Sequence, residues 1–267
     1  MKFTHKLCGA ALLAAVGFAV VLPNSTKADD GVGVEGGAEI EFTSTTTSTT
    51  ETNPGSGSGT DPLPTSSGGG GVTSDAKGFG ISYVSDLDFG KHENMTNTGN
   101  ETYWAKSWVG TNEAGVTMEN ANFVNFEDVR QQVGHAYQIQ AELTTEFTAS
   151  VNGKEAKLNG VSLTYNNPGL NTRHLTDDST APTAGLKNGA VVQLGAKTTM
   201  LDNSTPADDE VGYGYYSLYY GKYELGEAEG GSAKSIKLAI PMAENKAVYN
   251  AKYKGGITWT MSDVPQP

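Results

Sequence analysis

The segment GGITWTMSDVPQP, residues 255–267, carries a β-rich run with Trp259 and Met261, and short polar residues and prolines follow it. Alternate residues of a β-strand point to the same face, so Trp259 and Met261 share one face of the predicted strand. The Gly255-Gly256 pair before them predicts a bulge that resets the strand register. The segment therefore predicts a last antiparallel strand with an aromatic and an aliphatic side chain next to each other.

Similar short runs extend upstream to about residue 76 and are rich in β-branched and aromatic residues. Each run is bounded by Gly, Asn, Asp or Pro, which is typical of strands separated by turns. Asn152-Gly153 is a pair favoured by tight hairpins. The pattern predicts one all-β domain over residues 76–267, an antiparallel β-sandwich or a partly open barrel with long loops at 167–188 and 201–210.

Residues 1–28 have the pattern of a secretory signal peptide, with a positive start, an apolar middle and the small residues Thr26 and Ala28 before a predicted cleavage after Ala28. The apolar run from Leu7 to Leu22 is too short for a stable membrane span. Cys8 is the only cysteine and lies in this segment, without the small residues expected before a lipoprotein cleavage site. The exported chain is therefore predicted to have no membrane span and no disulfides, and to fold around an ordinary core.

Residues 29–75 have a Thr/Ser/Gly/Pro-rich composition that predicts a disordered linker before the β-domain. One patch differs, because apolar and polar residues alternate over residues 38–43 with the period of a half-buried strand. Two interpretations remain open for this patch. It is a short strand that pairs with the domain or with a partner, or it is part of the disordered segment.

The composition argues against several classes of function. Loss of Lys2, Lys6 and Lys27 with the signal takes the formal net charge from −12 to −15, which disfavours nucleic acid as a partner. No Gly-x-Ser-x-Gly nucleophile motif is present, and the acidic pairs lack EF-hand spacing. We therefore expect no catalytic residues, no metal site and no cofactor.

The stretch YNAKYKGGITWTMSDVP, residues 249–265, resembles the end of the WxL domain found on surface proteins of low-GC Gram-positive bacteria. The matching positions are Tyr249, Ala251, Trp259, Asp263 and Pro265. Met261 stands where Leu is usual, and the two side chains have similar volumes. The position of this motif at the end of the domain makes the resemblance fairly specific.

A second stretch, FEDVRQQVGHAYQIQAEL, resembles the upstream motif of the same family. Asp128, Arg130 and Gly134 match the pattern, and Tyr137 and Ile139 stand in place of Trp and Leu. The family resemblance implies non-covalent attachment to the cell surface through peptidoglycan, together with other surface proteins as partners. It implies a secreted, extracellular protein located at the cell wall.

Trp259 with Met261, and Tyr137 with Ile139, form two aromatic-x-aliphatic pairs that are our candidate ligand-binding platforms. If the two strands are neighbours, the pairs form one patch. The alternative is that both pairs point inward and hold the sandwich together, in which case the wall-binding surface lies elsewhere.

The sequence also leaves two functions open. The domain binds peptidoglycan directly, or it is an interaction module that docks onto another surface protein by strand addition.

Overall fold

The computed structural model describes residues 32–43, 70–72, 78–93, 100–111, 117–172 and 179–264. The predicted signal peptide and most of the predicted linker lie outside these ranges. Within them the chain forms 17 strands and three short 3-10 helices. None of the described helices has the length and hydropathy needed to cross a membrane. The predicted all-β fold is confirmed.

A six-stranded sheet forms the centre of the domain, in the order β10-β9-β17-β1-β4, with β14 also paired to β9. All its pairings are antiparallel except the parallel pairing of β1 with β4. Its strands are β1 Val32–Thr43, β4 Leu87–Glu93, β9 Tyr137–Val151, β10 Lys154–Leu158, β14 Thr198–Asn203 and β17 Lys252–Asp263.

The β9–β10 hairpin turns at Asn152 and Gly153, with φ values of 52° and 76°. Two positive φ angles in a row are those of a type I′ turn, which explains the Asn-Gly pair at this position.

Strand β1 lies between β17 and β4, and the patch expected at residues 38–43 is its second half. Val34, Ala38, Ile40 and Phe42 are buried, because the alternation of apolar and acidic residues turns every second side chain to the core. The range 76–267 predicted for the domain leaves β1 out. In the structure β1 is a central strand of the largest sheet.

Two further sheets pack around the same core. The four-stranded sheet has the order β13-β11-β16-β5 and the five-stranded sheet the order β12-β15-β8-β3-β2. The four-stranded sheet contains β5 Asn100–Trp104, β11 Ser162–Tyr165, β13 Ala190–Gln193 and β16 Ile236–Pro241. The five-stranded sheet contains β2 Gly70–Val72, β3 Phe79–Ser85, β8 Asn122–Asp128, β12 Pro168–Thr172 and β15 Gly214–Tyr220.

A small hairpin, β6 Trp108–Thr111 with β7 Thr117–Asn120, stands beside these sheets. The 3-10 helices are Thr183–Gly185, Tyr223–Leu225 and Ser232–Lys234.

The loop expected at residues 167–188 contains the strand β12, which the sequence pattern did not predict. Its first residue is Pro168, and proline disfavours a strand because it cannot donate a ladder hydrogen bond. Among the described strands, β12 lies at the edge of its sheet and pairs only with β15, so the hydrogen-bond donor that Pro168 lacks is not needed for a second neighbour.

Candidate functional site

The two aromatic-x-aliphatic pairs lie on neighbouring strands, where Met261 of β17 is opposite Ile139 of β9. Their side chains do not face solvent. Trp259 is 2 % exposed and Met261 1 %, and Tyr137 and Ile139 are fully buried. The ligand-binding role predicted for these four residues therefore conflicts with their position. They hold the sheets together, because their shared face is the one that packs on the core.

Trp259 is the meeting point of the three large sheets. Its ring contacts Tyr165 of β11 edge-on, with centroids 5.6 Å apart, and Tyr220 of β15 at 6.4 Å. Edge-to-face aromatic pairs of this kind stabilise a core beyond the area that they bury. The Trp position of the C-terminal motif thus joins one side chain from each sheet.

Met261→Leu restores the residue that is usual in the resembled motif, and we expect it to be nearly neutral. A volume-conserving exchange at a buried site costs less than about 1.5 kcal/mol. Urea unfolding of the two proteins measures the difference. Met261→Ala is the matched comparison, with an expected loss of about 2–5 kcal/mol. Equal, small effects from both substitutions would contradict the packing role of this position.

Tyr137 uses its aromatic ring and its hydroxyl in the core. The ring packs edge-on against Phe79 and Phe126, and the hydroxyl donates a hydrogen bond of 3.2 Å to the Gly212 carbonyl. Burial raises the pKa of Tyr137 well above its ordinary value, and the neighbouring Tyr216 and Asp128 add to this shift. The Tyr that replaces the family Trp is therefore a neutral, anchored core residue.

Asp128, Arg130, His135 and Asp263 form a group that we name the motif cluster. Arg130 Nε lies 2.9 Å from Asp128 Oδ1, and its Nη2 lies 2.7 Å from Oδ2. Arg130 Nη1 donates to Asp263 Oδ1 at 2.9 Å. The guanidinium also lies 3.8 Å above the Phe79 ring. One arginine thus ties the end of β8 to the end of β17.

The Asp128 carboxylate is fully buried, whereas the Arg130 side chain is 22 % exposed and that of Asp263 42 %. Burial alone lowers the pKa of Arg130, but the hydrogen bonds and charges of Asp128 and Asp263 outweigh it and raise the pKa overall. The arginine is therefore charged at all working pH values, and it compensates the charge of a carboxylate that water does not reach.

His135 completes the motif cluster from the loop that follows Arg130. Its Nδ1 lies 3.0 Å from Asp128 Oδ2, although the N–H direction does not meet the alignment of a hydrogen bond. Its backbone carbonyl accepts a hydrogen bond of 2.7 Å from Asn203 Nδ2. Gly134 directs the chain into this position with φ 76°, a left-handed angle that favours glycine. The motif glycine is thus a turn residue.

Sequence reasoning missed His135 and Asn203 as members of this site. The position of His135 directly after the motif glycine was the available signal. Asn203 had none, because it comes from the distant strand β14.

Beside the motif cluster lies a groove of about 450 Å³, which we name the motif groove. It is lined by Arg130, Gln131, Gln132, Val133, His135, Asp209, Glu210 and Tyr213. The loop 129–136 supplies one wall, and residues 209–213 before β15 supply the other. The Tyr213 ring packs against His135 with centroids 5.1 Å apart. Two members of the motif cluster, Arg130 and His135, therefore line a surface groove.

The remaining motif positions lie away from this groove. Tyr249 and Ala251 precede β17, so they are at the opposite end of that strand from Asp263. Tyr249 is 53 % exposed, and its backbone N–H donates to the Tyr253 hydroxyl at 3.1 Å. Pro265 lies outside the described residues. The fold thus brings Asp128, Arg130 and Asp263 together, whereas Tyr249 and Ala251 lie apart from them.

Comparison with known proteins agrees with the motifs and the fold. No curated protein matches the chain. A family model described as WxL domain, surface cell wall-binding, matches residues 30–265. The match includes β1 and the motif cluster as well as the final strand, and it identifies a surface protein that binds the cell wall. The chain belongs to the WxL domain family of cell wall-binding surface proteins.

Proposed function

We propose that this protein is secreted and attaches non-covalently to the cell wall by binding peptidoglycan in the motif groove. The observation that carries the proposal is the overlap of the family motif with a surface groove. Arg130 and His135 belong to the motif cluster and also line the groove. The volume of about 450 Å³ is in the range of small-ligand sites, about 300–1,000 Å³.

The groove offers neutral hydrogen-bonding groups and one aromatic ring. Gln131 and Gln132 are exposed side-chain amides at its wall, and Tyr213 is half-buried opposite them. A guanidinium has five N–H groups, and three of those of Arg130 are taken by the two carboxylates. The two remaining N–H groups of Arg130 can donate hydrogen bonds to a carbonyl group of a ligand. Amide, hydroxyl and ring contacts suit acetamido sugars and peptide stems.

The charge of the groove favours the same class of ligand. Asp209 and Glu210 are exposed on one wall, and the one arginine among the lining residues, Arg130, is already paired with two carboxylates. A polymer of phosphodiesters would meet these carboxylates without compensation. The groove therefore favours the neutral glycan strand and its peptides over anionic wall polymers.

Sedimentation with purified, insoluble peptidoglycan at moderate salt tests the proposal on the chain from residue 29 onward. We expect the wild-type protein in the pellet, and an affinity weaker by about five- to tenfold for Gln132→Ala and Tyr213→Ala, since one lost hydrogen bond or ring contact is worth about 1–1.5 kcal/mol. Tyr249→Ala and Gln193→Ala remove an exposed ring and an exposed amide outside the groove, and they should bind normally.

Wild-type protein that stays in the supernatant would contradict direct binding. Normal binding of both groove variants would place the ligand elsewhere on the domain.

The alternative function is docking onto another surface protein, through the domain or through its strand at residues 38–43. In the structure this strand is paired on one side with β17 and on the other with β4. A partner would have to use a different edge. Binding of the protein to cells that lack the candidate partner separates the two functions, because only direct wall binding predicts it.

A further inference from the structure

Strand β1 fills a slot between two strands from distant parts of the chain. On one side it pairs antiparallel with β17, from Val32 opposite Met261 to Glu41 opposite Lys252. On the other side it pairs in parallel with β4. Without β1, both of these strands would present unpaired backbone groups toward each other. We name the space between β17 and β4 the β1 slot.

The slot favours a strand with alternating apolar residues and a central pair of glycines, of which Gly36 faces the core and Gly37 the outer side. A Cβ atom at Gly36 would lie 2.6 Å from Val84 Cγ1, and one at Gly37 would lie 2.9 Å from Asp86 Oδ1. The Gly37 N–H also donates to Asp86 Oδ1 at 2.7 Å. A strand with side chains at these two positions would have to displace Val84 and Asp86, so the slot favours glycines there at this register.

The outer side of the slot selects acidic residues. Lys252 of β17 lies 2.6 Å from Glu39, and Lys91 of β4 lies 3.4 Å from Glu41. Lys254 is directly opposite Glu39 in the ladder. An occupant with glutamates at alternate positions is therefore favoured. The slot is complementary in shape and charge to the sequence GVEGGAEIEF, which every copy of this chain carries.

The number of residues between β1 and the next described strand limits how far β1 can lie from the rest of its chain. Residues 44–69 separate Thr43 from Gly70, a length of 26 residues. At about 3.3–3.6 Å per residue, such a segment spans at most about 90 Å. The β17 edge of the slot is also the last described strand, so β1 is made long before its slot is complete.

We propose that the β1 slot also accepts β1 of a second copy, so that this protein forms strand-exchanged assemblies when it folds at high local concentration. Each exchanged copy keeps all the contacts of the closed form, because the same strand fills the same slot. The two forms differ in where the connecting segment leads. In the closed form it joins β1 to the slot of the same chain, and in the exchanged form β1 fills the slot of another chain. Closure within one chain does not depend on concentration, whereas exchange between chains does.

Disulfide trapping tests the exchange in the chain from residue 29 onward, which has no cysteine of its own. Glu35 of β1 and Thr258 of β17 are directly opposite each other. Glu35→Cys and Thr258→Cys are made in separate chains, mixed in denaturant, refolded together and oxidised. A disulfide between the two chains requires β1 of one copy to lie beside β17 of the other.

We expect a cross-linked dimer on non-reducing gels. As long as the dimer is the minor product, its fraction should rise about tenfold when the protein concentration during refolding is raised tenfold. Mixing Glu35→Cys with Lys157→Cys, an exposed position on β10, measures random cross-linking. The double variant Glu35→Cys/Thr258→Cys in one chain shows that the register is preserved. The facing pair Glu41→Cys and Lys252→Cys repeats the test if the first variants do not fold. Cross-linking no higher than in the Lys157→Cys mixture overturns the proposal.

Discussion

A chain that begins at residue 44, without β1, should show no cooperative unfolding transition. Its near-UV circular dichroism should be lost at temperatures where the full chain is folded. Burial of Val34, Ile40 and Phe42 contributes about 1.5–3 kcal/mol for each side chain. The sum is comparable to the whole stability of a typical domain, about 5–15 kcal/mol. Both edges of the β1 slot would also lose their hydrogen-bond partners.

Point substitutions in β1 provide the matched control, because neighbouring positions face opposite sides. Phe42→Ala should cost about 3–5 kcal/mol in urea unfolding, since the side chain is fully buried against Tyr103 and Tyr253. Glu41→Ala removes only an ion pair on the outer face, and its cost should stay below about 1 kcal/mol. A cooperatively folded chain without β1 would show that this strand is dispensable, and the domain would then begin near residue 76 as its composition predicted.

Arg130→Met should lower the free energy of unfolding by about 3–5 kcal/mol, because it leaves the fully buried Asp128 carboxylate without its charge partner. Arg130→Lys should recover only part of this loss. An ammonium group cannot form the two parallel hydrogen bonds that the guanidinium makes to Asp128. Urea or thermal unfolding of the three proteins at neutral pH measures the difference.

Lys91→Met is the matched control for the loss of a cation. Lys91 forms an ion pair with Glu41, but its side chain is 62 % exposed, so the change should cost less than about 1 kcal/mol. The double variant Asp128→Asn/Arg130→Met removes both charges and should be more stable than Arg130→Met alone. If Arg130→Met were as mild as Lys91→Met, the motif cluster would not stabilise the fold.

Much of the local structure could be predicted from the sequence. Residues 38–43 alternate with period two and lie in β1, and the Asn152-Gly153 pair forms the turn of a hairpin. Such features depend on neighbours in the chain, so local patterns reveal them. The full length of β1 could not be predicted from the sequence in the same way. Its first half, VGVEGG, carries three glycines and lacks the apolar density of a typical buried strand.

The motif cluster shows the limit of local patterns most clearly. Arg130 and Asp263 are 133 positions apart in the sequence, and they meet because β17 pairs with β9 and ends beside the loop that follows β8. Asp128 and Arg130 were recognised as motif residues, but nothing in their spacing indicates a shared carboxylate partner from the last strand. The contact depends on the order of strands in the sheet.

The sequence by itself determined the all-β fold, the family and the pairing of Trp259 with Met261 on one face of a strand. Only the tertiary structure decided that this face is the buried one, and that a surface groove lies beside Arg130. The physical reason is the period of the strand. The two-residue period of a strand establishes which side chains point to the same face. Which of the two faces becomes buried depends on the sheets that pack against the strand.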